Sequence, residues 1–213
     1  MEFSYPELLC LTTDNSEYSH SEQVEILVSN GAKFIQFRTK KLKGQDLLDQ
    51  VNLAKSYTDG VDVVLIINDY VDVAHTINIS GVHIGQNDST IEYARGKLGE
   101  KAVIGSTVHS LSDAEKVKNK GLCSYVGLGP YRRTKTKPKL ENFLDAPRIV
   151  EIVNYLSPIP VFLIGGICLD DCKLISKFDL YGLAVCGGLS SHISYGCYVK
   201  NFLDEIEKIK SVF

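Results

Sequence analysis

The sequence contains no apolar run long enough to cross a membrane. A spanning helix needs about 20 consecutive apolar residues, and every apolar run in this chain is far shorter. The opening residues, MEFSYPELLCLTTD, also lack the basic start and the apolar segment of a secretory leader. We therefore expect a cytoplasmic protein without a membrane partner.

The chain also has no large excess of positive or negative charge, and it has few cysteines. The formal net charge is -3 and the Lys and Arg residues are scattered, so the chain has no long basic face and we expect no nucleic-acid partner. Six cysteines among 213 residues are too few for a disulfide scaffold. Cys168 and Cys172 have no His or second Cys pair nearby, which argues against a metal site there. We interpret both as small apolar residues on a helix.

The chain also lacks a linker or a shift in composition that would divide it into parts. A hydrophobic content of 44% is enough to build one large core in a chain of this length. We therefore predict a single domain over residues 1–213. The sequence does not decide the oligomeric state, and a homo-oligomer is allowed.

Eight short apolar runs alternate with amphipathic segments along the sequence. Each run is rich in Val, Ile and Leu, which is typical of a strand buried on both faces. Two of the intervening segments, residues 21–31 and 110–121, begin with Ser and end with Gly, as capped helices do. The predicted strands are residues 8–11, 34–37, 63–67, 82–84, 102–104, 125–128, 161–164 and 183–185.

This alternation predicts an α/β protein, a single-domain (β/α)8 TIM barrel. Eight strand and helix units in 213 residues place the chain near the small end of the size range of that fold. A doubly wound open sheet is the alternative. The turn after the first strand carries no glycine-rich dinucleotide fingerprint, and the eightfold alternation has no break, so the barrel is favoured.

Polar residues collect at the carboxyl ends of the predicted strands, where barrel enzymes carry their chemistry. Asp69 follows the third strand and Asp88 follows the fourth. Two carboxylates and Asn68 suit a hard cation such as Mg²⁺, held between protein oxygens and the oxygens of a diphosphate. The alternative is that both aspartates are helix N-caps. Capping leaves unexplained the cations at neighbouring strand ends, which are Arg38, Lys40 and Lys137.

Glycines mark the last two strand ends. Gly165 and Gly166 follow the seventh strand, and the segment CGGLSS begins at Cys186 after the eighth. Barrels often bind a phosphate at these two loops through backbone N–H groups, and glycine permits a close approach. Tight turns also need glycine, so the presence of a pair in both loops is the stronger indication.

Several ordered segments resemble thiamine phosphate synthase and its close relatives. They are QFRTK at 36–40, IND at 67–69 with GVHIGQND at 81–88, YVGLGP at 125–130 with TKTK at 134–137, and IGGI at 164–167. The resemblance implies a Mg²⁺-dependent transferase that joins hydroxymethylpyrimidine diphosphate to hydroxyethylthiazole phosphate. The products would be thiamine phosphate and diphosphate.

The resemblance also implies roles for particular residues. The metal would be held by Asp69 and Asp88. The leaving diphosphate would be stabilised by Arg38, Lys40 and Lys137. The pyrimidine diphosphate would contact Gln36, Phe37, Arg38, Thr39, Lys40, Asn68, Thr107 and Lys137. The thiazole phosphate would contact Thr134, Lys135, Thr136, Gly166, Cys186 and Gly187.

The segment 104–114, IGSTVHSLSDA, is similar to a sister branch of the family, the thiazole tautomerases. Those enzymes place a catalytic histidine there, which is His109 in this chain. The alternative for His109 is a hydrogen-bonded histidine at the barrel mouth. The tautomerase pattern lacks acids at the positions of Asp69 and Asp88, which favours the synthase. A third hypothesis is a non-catalytic relative that binds thiamine precursors.

The sequence departs from the family pattern in both halves of the barrel. A family tyrosine in the first strand is replaced by Cys10, and the last loop carries Cys186 and Gly187. The sixth loop gains Arg132 and Arg133, whose charge we expect to compensate for a weaker phosphate site. We assign no function to the other histidines, His20, His75, His83 and His192. The side chain of His83 is expected to point into the barrel or its packed wall.

Overall fold

Eight parallel strands close into a barrel in the computed structural model of the protein, which describes residues 5–133, 143–186 and 195–211. Each strand pairs with its two neighbours in sequence order, and β8 pairs with β1. The predicted TIM barrel is therefore confirmed. The strands are β1 Leu8–Leu11, β2 Phe34–Phe37, β3 Val64–Asn68, β4 Gly81–Ile84, β5 Val103–Val108, β6 Tyr125–Leu128, β7 Val161–Ile164 and β8 Gly182–Val185.

Helices follow the strands and form the outer layer. Their bounds are α1 His20–Ser29, α2 Gly44–Ser56, α3 Val71–Ile77, α4 Ile91–Leu98, α5 Leu111–Lys120, α6 Ala146–Leu156, α7 Leu174–Phe178 and α8 Tyr195–Lys210, with a short 3₁₀ helix at Leu169–Asp171. None of these described helices is long and apolar enough to cross a membrane.

The start and end predicted for α5 are confirmed by its caps, whereas the start predicted for α1 is wrong. Ser110 accepts a hydrogen bond from the Asp113 N–H at the start of α5, and Gly121 ends that helix in the left-handed conformation, as predicted. The α1 helix begins at His20 instead of after Ser21. Its N-cap is Ser19, because Glu22 lies three residues further on and completes a reciprocal capping box.

The barrel interior is a packed aromatic core. Phe34 and Tyr125 contact each other with ring centroids 5.4 Å apart, and Tyr125 is the same distance from Phe162. Gly105 on β5 makes room for the Tyr125 ring, because a Cβ atom at this position would collide with it. Because the interior is filled, a substrate is expected at the mouth of the barrel and not inside it.

The described cysteines form no disulfide. Cys172 is 1% exposed and belongs to the core between the barrel and its helices, in agreement with a small apolar role. The helical placement predicted for both cysteines is wrong, because Cys172 lies between the 3₁₀ helix and α7. Cys168 is half-buried and precedes the 3₁₀ helix. Its thiol approaches the carboxylate of Asp171 at 3.2 Å.

Candidate active site

Gln36, Asn68 and Thr107 lie at the carboxyl ends of β2, β3 and β5. Side chains alternate along a strand, so residues an even number of positions apart share a face. Phe34, Ile66 and Val103 belong to the interior cluster. Gln36 and Asn68 follow the first two by two positions, and Thr107 follows Val103 by four. The side chains of all three polar residues therefore face the barrel axis at the mouth, where the sequence predicted substrate contacts.

A cluster of opposite charges lies at the ends of β2, β3 and β4. The ammonium group of Lys40 forms an ion pair with Asp69, and the carboxylates of Asp69 and Asp88 interact with each other. Gly85 is the reason these carboxylates can come together. A Cβ atom at Gly85 would collide with the Asp88 carboxylate and would lie 3.8 Å from Asp69 Oδ1.

Neither aspartate caps a helix, so the capping interpretation is wrong. The N-cap of α3 is Tyr70, which makes no side-chain capping bond. The N-cap of α4 is Thr90, which accepts a hydrogen bond from the Tyr93 N–H. Asp69 instead has a φ of 69°, a left-handed conformation that is uncommon outside glycine and concentrates at functional sites.

Electrostatics in this cluster suit a bound cation. Desolvation raises the pKa of Asp88, and the neighbouring Asp69 carboxylate raises it further, while Lys40 partly offsets the rise. Two carboxylates this close disfavour each other's ionised form unless a positive charge joins them. Among the described residues there is no cluster of three or more His, Cys, Asp or Glu side chains that fits a metal. The described part of the chain thus offers a pair of carboxylates here and no third acidic or histidine side chain beside them.

Asp14 organises the loop that carries Lys40, a role that sequence reasoning missed. Its carboxylate accepts hydrogen bonds from the Thr39 hydroxyl at 2.6 Å and from the Lys40 N–H at 2.8 Å. It also accepts one from His20 Nε2 at 3.0 Å. Asp14 follows β1, so the end of the first strand fixes the loop after the second.

His20 completes this support from below. Its Nδ1 lies 2.7 Å from the Thr12 hydroxyl, and that hydroxyl oxygen accepts the Arg38 N–H at 2.8 Å. Because Asp14 can only accept, a neutral His20 with its proton on Nε2 satisfies every group in the network. Burial lowers the pKa of His20; Asp14 opposes this effect, and Arg38 and Lys41 add to it.

The QFRTK segment divides its side chains between the mouth and the wall. The Phe37 side chain is fully buried in the layer between barrel and helices, with its ring 5.0 Å from that of His20. Thr39 is also fully buried, and its oxygen accepts the N–H groups of Lys41 and Leu42. The predicted contacts of these two side chains with substrate therefore have no support in their positions, because alternation and loop bonding turn them away from the mouth.

A polar chain crosses the barrel interior beneath the site. The hydroxyl of Tyr125 bonds to Gln36 and lies 2.8 Å from His83 Nδ1. The other ring nitrogen of His83 lies 2.9 Å from the Thr107 hydroxyl. His83 points into the barrel, which is one of the two orientations expected for it. The chain joins Gln36 to Thr107, two residues that the sequence assigned to the pyrimidine diphosphate.

His109 is hydrogen-bonded at the mouth, as one of its two interpretations required. Its Nδ1 donates to the carbonyl of Gly129, and its backbone N–H donates to Asp113 at 3.2 Å. Because Nδ1 carries the proton in a neutral ring, Nε2 retains a lone pair that can accept a proton. The geometry fits both a structural role and an acid-base role.

The phosphate end of the predicted site is partly described. Gly166 is exposed in the loop after β7, and no backbone carbonyl among the described residues accepts a hydrogen bond from its N–H. The Cys186 thiol lies 3.8 Å from the Thr12 carbonyl, and burial raises its pKa while Arg38 opposes the rise. The remaining predicted contacts, Thr134, Lys135, Thr136, Lys137 and Gly187, lie outside the described residues.

Arg132 is not a spare cation for a phosphate, contrary to the expectation from the sequence. Its guanidinium group forms two hydrogen bonds to the carboxylate of Asp171, at 2.5 and 2.7 Å. Asp171 is 2% exposed, so its charge is matched mainly by this partner. Compensation by Arg132 was inferred from charge alone, and its acidic partner lies 39 residues away in sequence.

Comparison with known proteins identifies the family. A family model described as Thiamine monophosphate synthase matches residues 8–189. The chain is 30% identical over 183 residues to a thiamine-phosphate synthase of Bacteroides fragilis, covering 84% of this chain and 89% of that protein. It is 34% identical over 188 residues to that of Clostridium novyi, covering 87% and 90%. A solved thiamine phosphate pyrophosphorylase from Pyrococcus furiosus has a TM-score of 0.84 and 25% identity, covering 95% of this chain and 96% of that chain.

The matched residues begin at the first strand and extend past the last one, so they include the whole barrel. They also include the cluster of Lys40 with the two aspartates, the loop after β2 that Asp14 and His20 hold, and the glycines after β7. Sequence similarity of this extent, together with the same barrel, leaves one conclusion. The chain belongs to the thiamine monophosphate synthase family.

Proposed function

We propose that the protein is a thiamine phosphate synthase. It would join hydroxymethylpyrimidine diphosphate to hydroxyethylthiazole phosphate and release diphosphate, which makes it a transferase. The cluster of Lys40, Asp69 and Asp88 around Gly85 is the observation that carries the proposal. It supplies a cation and a pair of carboxylates at one edge of the mouth, as the binding of a metal diphosphate requires.

Asp69 and Asp88 would hold Mg²⁺. Their oxygens are the hard ligands that this ion prefers, and their mutual repulsion is relieved by a divalent charge. Since Mg²⁺ usually binds proteins through one or two carboxylates plus substrate phosphates, a pair of aspartates is sufficient. When bound, the ion would neutralise part of the charge on the leaving diphosphate.

The residues of the chain contribute position and charge. Arg38 and Lys40 would neutralise the diphosphate from the loop after β2, which Asp14 and His20 hold in place. Gln36 and Thr107 would contact the pyrimidine end from the floor of the mouth. Departure of diphosphate leaves a carbocation on the pyrimidine methylene, which the thiazole nitrogen captures, so little proton transfer is needed. Preorganised charges and alignment of the two rings would supply most of the rate enhancement.

The named relatives do not favour a thiazole tautomerase, and the cluster also opposes it. The two similar proteins are named as thiamine-phosphate synthases and the similar solved structure as a thiamine phosphate pyrophosphorylase. The acids that the tautomerase pattern lacks are brought together here. A non-catalytic relative is the other class of function. We also propose that the protein acts in the cytoplasm on small-molecule substrates. Assembly as a homo-oligomer is compatible with this function.

The decisive experiment supplies both substrates with Mg²⁺ and measures thiamine phosphate and diphosphate. A synthase forms the two products in equal amounts. The same preparation is then assayed for thiazole tautomerisation alone. Tautomerisation without coupling would replace the proposal by the sister activity, and binding of both substrates without any product would identify a non-catalytic relative.

The metal assignment is tested by Asp88→Asn with Asp72→Asn as its matched control. Asp72 lies on α3 outside the cluster, where it bonds to Tyr93 at 2.7 Å. Loss of one preorganised charge contact lowers the rate by roughly 10²–10³, so Asp88→Asn should lose about that factor and Asp72→Asn should stay near the parent. Calorimetry of diphosphate with and without Mg²⁺ gives a second readout. Mg²⁺ should strengthen binding in the parent and far less in Asp88→Asn.

A further inference from the structure

The loops after β6 and β7 run side by side beyond the ends of their strands. The Tyr131 N–H donates to the Ile164 carbonyl at 2.9 Å, and the Arg132 N–H donates to the Gly165 carbonyl at 3.0 Å. These bonds continue the pairing of the sheet into the mouth of the barrel. The two loops are therefore a single structural unit at this point.

The glycine pair after β7 serves this contact between loops. A Cβ atom at Gly165 would lie 2.9 Å from the Pro130 Cα atom, and one at Gly166 would lie 2.8 Å from the Arg132 Cβ atom. Both distances are shorter than carbon atoms tolerate without a shift of the backbone. Gly165 and Gly166 also have φ values of 106° and 68°, which other residues rarely adopt. The sixth loop thus occupies the space that side chains at these positions would fill.

An ion pair fastens the same two loops further along. The guanidinium group of Arg132 binds the Asp171 carboxylate through two nitrogens and also donates to the Gly166 carbonyl at 3.3 Å. Asp171 accepts the Cys168 N–H at 2.9 Å. This pairing raises the pKa of Arg132, and although burial alone would raise the pKa of Asp171, Arg132 and Cys168 bring it below its usual value. Arg132 and Asp171 together thereby hold the segment from Gly166 to Asp171, because Arg132 bonds its first residue and the Asp171 carboxylate bonds both Arg132 and Cys168.

We propose that Arg132 is a positioning residue that, through Asp171, holds the β7 loop in the shape that receives the thiazole phosphate. The proposal rests on the proposed function for the identity of the ligand. Gly166 is exposed and no backbone carbonyl among the described residues accepts its N–H, so this donor is available to the ligand. The charge of Arg132, in contrast, is already matched by Asp171. Arg132 therefore acts through the geometry of the loop and not as a phosphate ligand.

The first test compares Arg132→Ala with Arg133→Ala. Both changes remove one positive charge from the same loop, but Arg133 is exposed and takes no part in the ion pairs of the described residues. In steady-state assays, Arg132→Ala should raise KM for thiazole phosphate about tenfold. This factor corresponds to the binding free energy that one charged hydrogen bond contributes. KM for the pyrimidine diphosphate should change less than about twofold. Equal effects of the two variants would overturn the proposal, because they would indicate a general effect of charge.

The second test uses Asp171→Asn, for which the two roles of Arg132 predict opposite results. A positioning role predicts weaker binding of thiazole phosphate, and little further loss when Arg132→Ala is added, because both changes break the same contact. A direct ligand role predicts tighter binding, because Arg132 would be released toward the phosphate. Tighter binding would overturn the proposal.

Hydrogen exchange separates this inference from the function on which it rests. Arg132→Ala should speed exchange at the amides between Gly166 and Asp171, and Arg133→Ala should not, whether or not the protein turns over substrate. If the parent makes no thiamine phosphate but the two variants show this difference in exchange, the proposed function is overturned and the positioning role of Arg132 is kept. If the parent is active but Arg132→Ala changes neither the exchange nor the KM for thiazole phosphate, only the positioning role of Arg132 is overturned. Thermal unfolding of each variant checks that it is folded.

Discussion

Three aspartates near the barrel mouth have different tasks because their neighbours differ. Asp14 has three hydrogen-bond donors within 3.0 Å, and together they bring its pKa below the usual value although burial alone would raise it. Asp88 has mainly another carboxylate beside it, and its pKa is raised. A carboxylate with three donors supports a loop, whereas two adjacent carboxylates that share one lysine can accept a further cation. The same side chain is thus structural at position 14 and suited to ligand binding at positions 69 and 88.

His109→Ala distinguishes a residue that supports the mouth from one that transfers protons. The coupling reaction needs little proton transfer, so we expect the variant to keep at least about a tenth of the parent rate. General acid-base catalysis typically contributes about 10²–10⁴ in rate. A loss in that range would assign proton transfer to His109 and would contradict our mechanism. His75→Ala, a change at an exposed residue of α3, controls for losing an imidazole.

At the residue scale, the sequence located the groups whose position follows from the end of a strand. Asp69, Asp88 and Lys40 fall into this class, because parallel strands of a barrel bring their carboxyl ends together. Sequence reasoning missed the groups whose role depends on a partner far away along the chain. Asp14 meets Thr39 across 25 positions, and Arg132 meets Asp171 across 39. Nothing in the local sequence indicates such a pairing.

At the scale of single elements, the strand ends were less predictable than the strands. β5 extends to Val108, four residues past its predicted end, because Gly105, Ser106 and Thr107 carry little apolar character. These residues nevertheless pair with β6, Gly105 with Tyr125 and Thr107 with Gly127. Hydrophobic periodicity identifies a strand by its buried side chains. A strand that ends in small polar residues at a functional mouth is therefore underestimated.

The loop after β7 offers a test of packing between loops. Gly166→Ala should destabilise the fold by about 2–4 kcal/mol, because it adds both the strain of a positive φ and a collision with Arg132. Gly60→Ala is the matched control. Gly60 has a φ of 78°, and no atom lies within 4 Å of the place that an alanine Cβ would take, so it carries the strain alone and should cost about 1 kcal/mol. Urea unfolding measures both. Equal costs would show that the sixth loop yields easily to a methyl group.

At the scale of the whole molecule, the fold was predictable because its pattern repeats. All eight strands lie where apolar runs were found, and each is buried between an interior core and a helical layer. The polar network of the interior could not be predicted in the same way. His83 and Tyr125 bond to each other across 42 positions. The contact depends on the strand order, which places β4 and β6 on either side of β5, and on Gly105, whose missing side chain leaves room for the Tyr125 ring.

The network around His20 links the first two strands, and it should make the stability of the whole barrel depend on pH. Burial lowers the pKa of folded His20 below its ordinary value of 6.5; Asp14 opposes this, and Arg38 and Lys41 add to it. Between pH 6.5 and the folded pKa, the unfolded chain therefore binds more protons at this residue than the folded chain does. The free energy of unfolding should fall as pH decreases through that window, by up to about 1.4 kcal/mol per pH unit.

His20→Gln isolates this contribution, because glutamine can still donate to Asp14 but does not titrate. The stability difference between parent and variant should be constant above about pH 7.5, shrink as pH falls below 6.5, and level off below the folded pKa. His75→Gln is the control, since His75 is exposed on α3 and lies outside the network. Urea unfolding across about pH 5 to 8 provides the measurement. A stability difference that grows as pH falls would mean that folded His20 is charged, and the neutral network that supports Arg38 and Lys40 would then be wrong.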